Sequence, residues 1–420
     1  MTVKLKGPWI ALQHRNYRLL WFGNTFSQLG DHMQQVAQNW LVWQITGSVT
    51  ALGLAAFIGI IPRLAFGFFG GPIVDKYNRR YLLGSTQSAA LLFSLGFALT
   101  AASGAITFPL ALFFIFTLET TQIINQTTRQ ALLQEIVPRQ DIPSAVSLNG
   151  TGNNLARIAG PALGGTLIPV TGVEGLMFLN SLTFLGVLMA VWRMRIPARQ
   201  WGQTQAEEGG FCERLLEGYR YIWKNNRLRM LIYLGMVSAF LIMPIISMLP
   251  AYVDNVLKGG PQTFGFLMAA FGIGAVLGAM NGPAVRASIG GVVTLLAAVL
   301  QGILFILLGA ITIPFLAFGL MFTLGLATIT YNNSVVTAMQ LSTAPEYLGR
   351  VMGIYLMHKA VTAAGAMLLG TVATFAGADR ALVISGIFYL GLGAGVQYAN
   401  RDLQAQALSA AVPGKGKGNG

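Results

Sequence analysis

Asp31, Arg63, Glu119 and Arg157 lie inside long apolar stretches of a chain in which only 10% of residues are charged. Two carboxylates and two guanidiniums support a narrow chemistry. They can form ion pairs, and a carboxyl group can take up and release a proton. Each alone at the centre of a bilayer costs at least about 2.5–3.5 kcal/mol on insertion scales. Removal from water disfavours the charged form of a carboxyl group and brings it toward the range where it exchanges protons. Such a set is either a buried lattice that locks helices together or an exchange site.

The flanking residues favour exchange. Asn24, Gln28, Asp31, Gln35 and Gln38 are spaced four, three, four and three, which puts them on one helix face. Glu119, Gln122 and Gln126 share a face in the same way, as do Asn149, Asn153 and Arg157. Polar stripes at membrane depth mark helices that face a wet cavity rather than lipid. Proton coupling is assigned first to Asp31 and then to Glu119, with Arg63 and Arg157 as charge partners that also meet substrate. In the second half, Tyr331, Asn332 and Asn333 are expected to line the cavity. Met236, Phe240, Met243 and Met248 would add an adaptable apolar wall. His358 and Lys359 could reach either the membrane surface or the cavity.

Other chemistry finds no support. His14, His32 and His358 show no metal spacing, and the lone Cys212 excludes an internal disulfide and a cysteine cluster. No nucleophile–base pair and no phosphate-binding loop can be placed, so neither an enzyme nor ATP drive is expected, and no cofactor or metal. Gly272 and Gly274 form a Gly-x-Gly spacing inside an apolar run with no preceding strand, which points to helix packing.

The elements that must position these residues are membrane helices. The chain has 420 residues, is 54% hydrophobic and has a mean hydropathy of +0.61. A soluble protein would carry about a quarter charged residues. A span needs about 20 apolar residues, and twelve are predicted: 18–45, 50–74, 81–102, 107–128, 145–169, 174–192, 230–252, 262–284, 289–309, 313–338, 351–374 and 381–398. At about 1.5 Å per residue, Asp31, Arg63, Glu119 and Arg157 lie about 20, 18, 15 and 20 Å from the cytoplasmic ends of their spans, near the midplane. The polar interruption 193–229 divides a six-helix bundle (1–192) from a second one (230–398), followed by a disordered cytoplasmic tail (399–420). Within the interruption, 211–223 reads as an amphipathic helix on the membrane surface. The halves also resemble each other: 70–80 ends span two as 281–291 ends span eight, a sign of transporters built from repeats.

The net charge of +13 is explained by topology. With the N-terminus in the cytoplasm, 22 of the 27 lysines and arginines fall on cytoplasmic segments and only Lys258 and Arg380 on outer loops. This positive-inside pattern places both termini in the cytoplasm. It also accounts for the high pI without nucleic acid. No cleavable signal peptide is evident.

The segment 70–80, GGPIVDKYNRR, resembles the loop between spans two and three of the major facilitator superfamily, through Gly71, Asp75, Lys76, Arg79 and Arg80. Asn78 replaces the usual glycine, and asparagine tolerates a left-handed backbone. An acidic residue at a helix end and a basic cluster in a tight turn suit a clamp that holds neighbouring helices in one state and releases them in another. ARIAGPALGG is similar to the Gly-Pro motif of the superfamily's antiporters, with Gly160, Pro161, Gly164 and Gly165, and Ala156 in place of the leading glycine. Segments 15–31 and 129–165 resemble the bacterial exporter branch that includes the enterobactin exporter and macrolide efflux proteins. The resemblance implies an all-α membrane protein of the bacterial inner membrane, with twelve helices in two pseudo-symmetric bundles. It also implies efflux of small amphipathic molecules (drug, siderophore or metabolite) by alternating access, driven by protons. Membrane lipid, protons and a small-molecule substrate are the expected partners of a monomer. A lipid flippase or a solute importer of the same fold are the alternatives within transport, and a non-transporting sensor the alternative outside it.

Overall fold

The computed structural model describes residues 7–194, 211–280, 283–344 and 346–399. All regular structure there is helical: α1 (Arg15–Thr46), α2 (Val49–Lys76), α3 (Arg79–Ala102), α4 (Phe108–Ile136), α5 (Ile142–Arg193), α6 (Phe211–Lys224), α7 (Asn226–Leu241), α8 (Ile245–Asn255), α9 (Pro261–Met280), α10 (Pro283–Ala310), α11 (Pro314–Leu341), α12 (Leu348–Leu356), α13 (His358–Ala376) and α14 (Ala378–Ala399). Among the described residues, eight helices are long and apolar enough to cross a membrane. α1 has the length but carries the polar stripe. The tail 400–420 and most of the linker, 195–210, lie outside the described residues.

Local chemistry sets the helix ends. α1 stops at Gly47, whose φ of 56° is left-handed and whose N–H bonds the Trp43 carbonyl at 2.8 Å. Ser48 then caps α2 by accepting from the Ala51 N–H. α5 bends at Gly172, where φ 73° and ψ 173° suit glycine alone. Two spans predicted as single are divided. Span seven breaks between α7 and α8 at Pro244, which cannot donate to a helix ladder. Span eleven breaks between α12 and α13, where the His358 ring nitrogen meets the Tyr355 carbonyl at 2.8 Å.

The two halves share one apolar core at the end remote from the termini and have separate cores at the terminal end. The shared core joins Val36, Trp40 and Leu52 to Leu249, Phe264 and Leu369. The separate clusters hold, respectively, first-half residues such as Tyr17, Leu132 and Val187, and linker and second-half residues such as Ile222, Tyr331 and Val351. Facing glycines make the shared end possible. A Cβ on Gly165 would lie 2.6 Å from Gly265 Cα, and one on Gly265 would lie 2.5 Å from the Pro161 carbonyl oxygen. A Cβ on Gly53 or Gly370 would similarly strike the backbone of Ala366 or Val49. α5–α9 and α2–α13 therefore touch backbone to backbone, as small residues permit between membrane helices. Across the same end, Trp43 Nε1 donates to Asp254 Oδ2 at 2.9 Å, and the Trp40 and Phe264 rings stack at 6.2 Å.

At the terminal end, the basic loop ties α3 to its own bundle. Arg79 donates to Glu135 Oε1 at 2.7 Å and to the Ala131 carbonyl at 3.1 Å. Arg80 donates to the carbonyls of Val191 (2.9 Å) and Trp192 (2.8 Å) at the end of α5. Last-turn carbonyls lack helical partners and carry the negative end of the helix dipole, so arginine suits the end of α5. Lys76 lies 5.7 Å from the Tyr77 ring centroid. Gly71 and Asp75 belong to α2, and their surroundings lie outside the described residues. Asn78 departs from expectation: its φ of −61° and ψ of 115° are extended, and its side chain caps α3 by accepting from the Arg80 and Tyr81 N–H groups. Capping, not left-handed tolerance, is the use of asparagine here. The helix α6 docks on the second half through Glu217–Arg350 at 2.9 Å and stacked Tyr221 and Tyr347 rings. Leu216, Tyr219 and Trp223 remain exposed on it.

Two consequences are measurable by thermal unfolding in detergent. Gly165→Ala should push α5 from α9 and lower stability by about 1–3 kcal/mol, the usual size of overpacking; an unchanged Tm would show that the seam has slack. Arg79→Ala should cost about 3–5 kcal/mol by stranding Glu135, whose side chain is only 8% exposed. A neutral result would mean that water already satisfies that carboxylate.

Candidate functional site

Between α1, α2, α4 and α5 lies a cavity of about 730 Å³. It runs from Gln38, towards the sealed end, to Gln134 and Ile142 at the terminal end. Among the described residues, all those that line it belong to the first half.

Asp31 sits on α1 within this wall and accepts a hydrogen bond from Gln122 Nε2 of α4. The Asn180 carboxamide bonds Asp31 as well, and its Nδ2 donates to Gln34 Oε1 at 2.6 Å. Gln34 Oε1 also accepts from the Ser94 hydroxyl at 2.7 Å. Gln34, Ser94 and Asn180 are at most 4% exposed. A chain of satisfied polar groups thus fixes the α1 carboxylate against α3, α4 and α5, and in a low-dielectric interior such a chain is rigid. The charged neighbour acting most strongly on Asp31 is Arg129, which also lines the cavity. Among the described residues the two form no ion pair within 4 Å, so the attraction acts at longer range.

Glu119 lies one turn from Gln122 on α4. Arg63 of α2 places Nε at 2.8 Å and a terminal nitrogen at 2.6 Å from the same oxygen, Glu119 Oε2. Such charge-assisted bonds are the strong class of hydrogen bond. The pair is part-exposed to the cavity, at 35% and 25% for the two side chains. Glu119 acts electrostatically on Asp31 and on Lys359 of α13, so among the described residues a second-half cation lies within electrostatic range of this pair.

The other expected residues divide into three groups. Asn24, Gln28, Gln35, Gln38, Gln122, Gln126 and Asn153 all line the cavity. Gly160 and Gly164 face α1: a Cβ on Gly160 would lie 2.5 Å from His32 Cβ, and one on Gly164 would lie 3.3 Å from Met33 Cα. Gly165 and the Pro161 carbonyl instead meet α9, so one motif seats the carboxylate's helix on one face and the other bundle on the next. The third group is displaced. Arg157 makes no ion pair with either carboxylate among the described residues, and its buried Nε has no hydrogen-bond partner there. Tyr331 is 1% exposed, with its hydroxyl donating to the Leu234 carbonyl at 2.9 Å, so it belongs to the second half's own core. Asn332 and Asn333 do not line the cavity.

The cation that sequence spacing missed is Arg129. The predicted span 107–128 leaves it on the cytoplasmic segment that follows, whereas α4 runs on to Ile136. The signal was present: Gln122, Gln126 and Arg129 continue the spacing of one helix face. Gln34, Ser94 and Asn180 carried no such signal, being single polar residues in apolar surroundings.

Comparison with known proteins agrees with this architecture. A family model described as "Transmembrane secretion effector" matches residues 6–413. The multidrug efflux pump Tap of Mycolicibacterium fortuitum is 27% identical over 67% of this chain and 68% of that protein. Macrolide efflux protein A of Streptococcus pyogenes is 21% identical over 64% and 67%. The staphyloferrin A transporter of Staphylococcus aureus is 22% identical over 90% and 94%. Among solved structures, an inward-facing, unoccupied bacterial homologue of the human lysosomal transporter Spinster superposes with a TM-score of 0.71 at 14% identity, covering 96% of this chain and 99% of that one. The nucleoside transporter NupG gives 0.71 at 13% identity, covering 91% and 98%. By the family match along nearly its whole length, this multi-pass membrane chain belongs to the transmembrane secretion effector family, and it is a transporter of the major facilitator superfamily.

Proposed function

We propose that this chain exports a small solute in exchange for protons by alternating access, from a bacterial inner membrane with both termini in the cytoplasm. The observation that carries the reading is Asp31, held by two carboxamides and under the charge of Arg129 in the wall of a cavity open at one end and sealed at the other. The named efflux functions of the relatives and the positive-inside pattern support export from the cytoplasm. If α5 is counted as two segments, and α7–α8 and α12–α13 as one crossing each, the helices make twelve crossings. The cavity then opens inward.

Coupling requires that a proton change the relative stability of two states. The ionised Asp31 attracts Arg129 and accepts from Gln122 and Asn180, which draws α1, α4 and α5 together. A proton on Asp31 removes the charge seen by Arg129 and one acceptor from the network, which loosens that hold. A rocking motion about the midplane would then open the glycine seam at the far end and close the terminal end. Glu119 is the second proton candidate. Its tie to Arg63 and its proximity to Lys359 make it the link to the other bundle. A membrane potential of 100 mV supplies about 2.3 kcal/mol per charge moved, enough to drive accumulation against a gradient.

The test uses proteoliposomes and any compound to which expression confers tolerance. Asp31→Asn and Arg129→Gln should each reduce proton-driven transport by about tenfold or more, with the Tm close to that of the parent. Arg157→Ala should leave it within about twofold. Full transport by Asp31→Asn would remove that carboxylate from the mechanism. A loss in Arg157→Ala equal to that in Arg129→Gln would restore Arg157 as the partner.

A further inference from the structure

The cavity wall is built of carboxamides. Among the described residues that line it, twelve of 28 are asparagine or glutamine, against eight apolar side chains. Small-molecule pockets ordinarily show the opposite balance, with apolar and aromatic walls and few polar groups. On α4, Gln122, Gln126, Gln130 and Gln134 recur every four residues, a ladder with rungs about 6 Å apart that descends from Asp31 to the open mouth. Each carboxamide offers two donors and an acceptor. The lining charges balance, Asp31 and Glu119 against Arg63 and Arg129, and both carboxylates already accept hydrogen bonds.

One group in the wall is unmet. Asn24 is 8% exposed and lines the cavity, and its carboxamide oxygen has no partner among the described residues. A buried acceptor of this kind calls for an O–H or N–H, which water or a hydroxyl-bearing ligand can supply. A lipophilic cation without N–H or O–H groups would supply none, and it would also displace water from amides that it could not satisfy.

We infer that the cargo is an uncharged, hydrophilic solute with several hydroxyl or amide groups, of the carbohydrate or N-acylated amino-sugar kind, and not a lipophilic cation. The inference rests on the proton-exchange reading above and deepens it. A ligand hydroxyl donates to the ionised Asp31 beside Gln122 and Asn180. A proton arriving on Asp31 takes the place of that donor, and the ligand leaves down the glutamine ladder. Solute and proton then compete for one oxygen, as exchange requires.

Calorimetric titration of the full chain in lipid nanodiscs tests this with two probes, N,N′-diacetylchitobiose and tetraphenylphosphonium. The disaccharide should bind about tenfold or more tighter than the cation, and Asn24→Ala and Gln126→Ala should each weaken it by about tenfold without lowering the Tm. Tighter binding of tetraphenylphosphonium, no saturable heat with the disaccharide, or full affinity in both variants would overturn the inference. Transport separates the two readings. If tetraphenylphosphonium is the bound probe and its export needs Asp31, the cargo class falls and proton exchange stands. If the disaccharide binds as stated and Asp31→Asn still exchanges it for protons, the cargo class stands and the coupling residue falls.

Discussion

Backbone contact between the two halves at one end governs the rest of this structure. In lipid no hydrophobic force drives helices together, so close packing must hold them. Gly165 against Gly265, and Gly53 and Gly370 against α13 and α2, bring main chains within reach of dispersion forces that a single methyl group would forfeit. Trp40 and Trp43 of α1 close over this seam on Phe264 and Asp254. Among the described residues the terminal end has no counterpart. Its apolar residues turn inward to two separate cores, and the space left beside the first of them is the cavity.

A carboxylate in such a cavity survives because its neighbours are fixed before it is charged. Asp31 gains from Gln122 and Asn180, and Asn180 is itself held by Gln34, which Ser94 holds in turn. Arg129 contributes at longer range. Arg63 and Glu119 solve the same problem differently, by direct pairing with one shared oxygen. The two carboxylates therefore differ in what a proton would undo: a polar network reaching α3 and α5 in one case, and a single ion pair beside the second bundle in the other.

Much of this was legible in the residues, and the failures have physical causes. A polar stripe of period three and four is an unambiguous statement about a helix face, so the residues of α1 from Asn24 to Gln38 could be placed without coordinates. Arg129 escaped because hydropathy marks where apolar character ends, while the helix follows its backbone bonds for two further turns. Asn180 escaped because one polar residue has no periodicity. Tyr331 misled because a hydroxyl beside two asparagines looks like a wet surface, whereas one carbonyl, Leu234, is enough to satisfy it in a dry core. Asn78 misled because a family's glycine suggests a left-handed turn, and asparagine has a second way to end a loop.

The lining of the cavity by the first half alone has a wider meaning. Under the proposed mechanism the machine is lopsided: recognition falls to one half and leverage to the other. The second half meets the first at glycines and aromatic rings that are indifferent to what is carried, so it can serve as a common chassis. Under that division of labour a change of cargo requires rewriting only one face of each of four helices, and the hinge that moves them can be left alone.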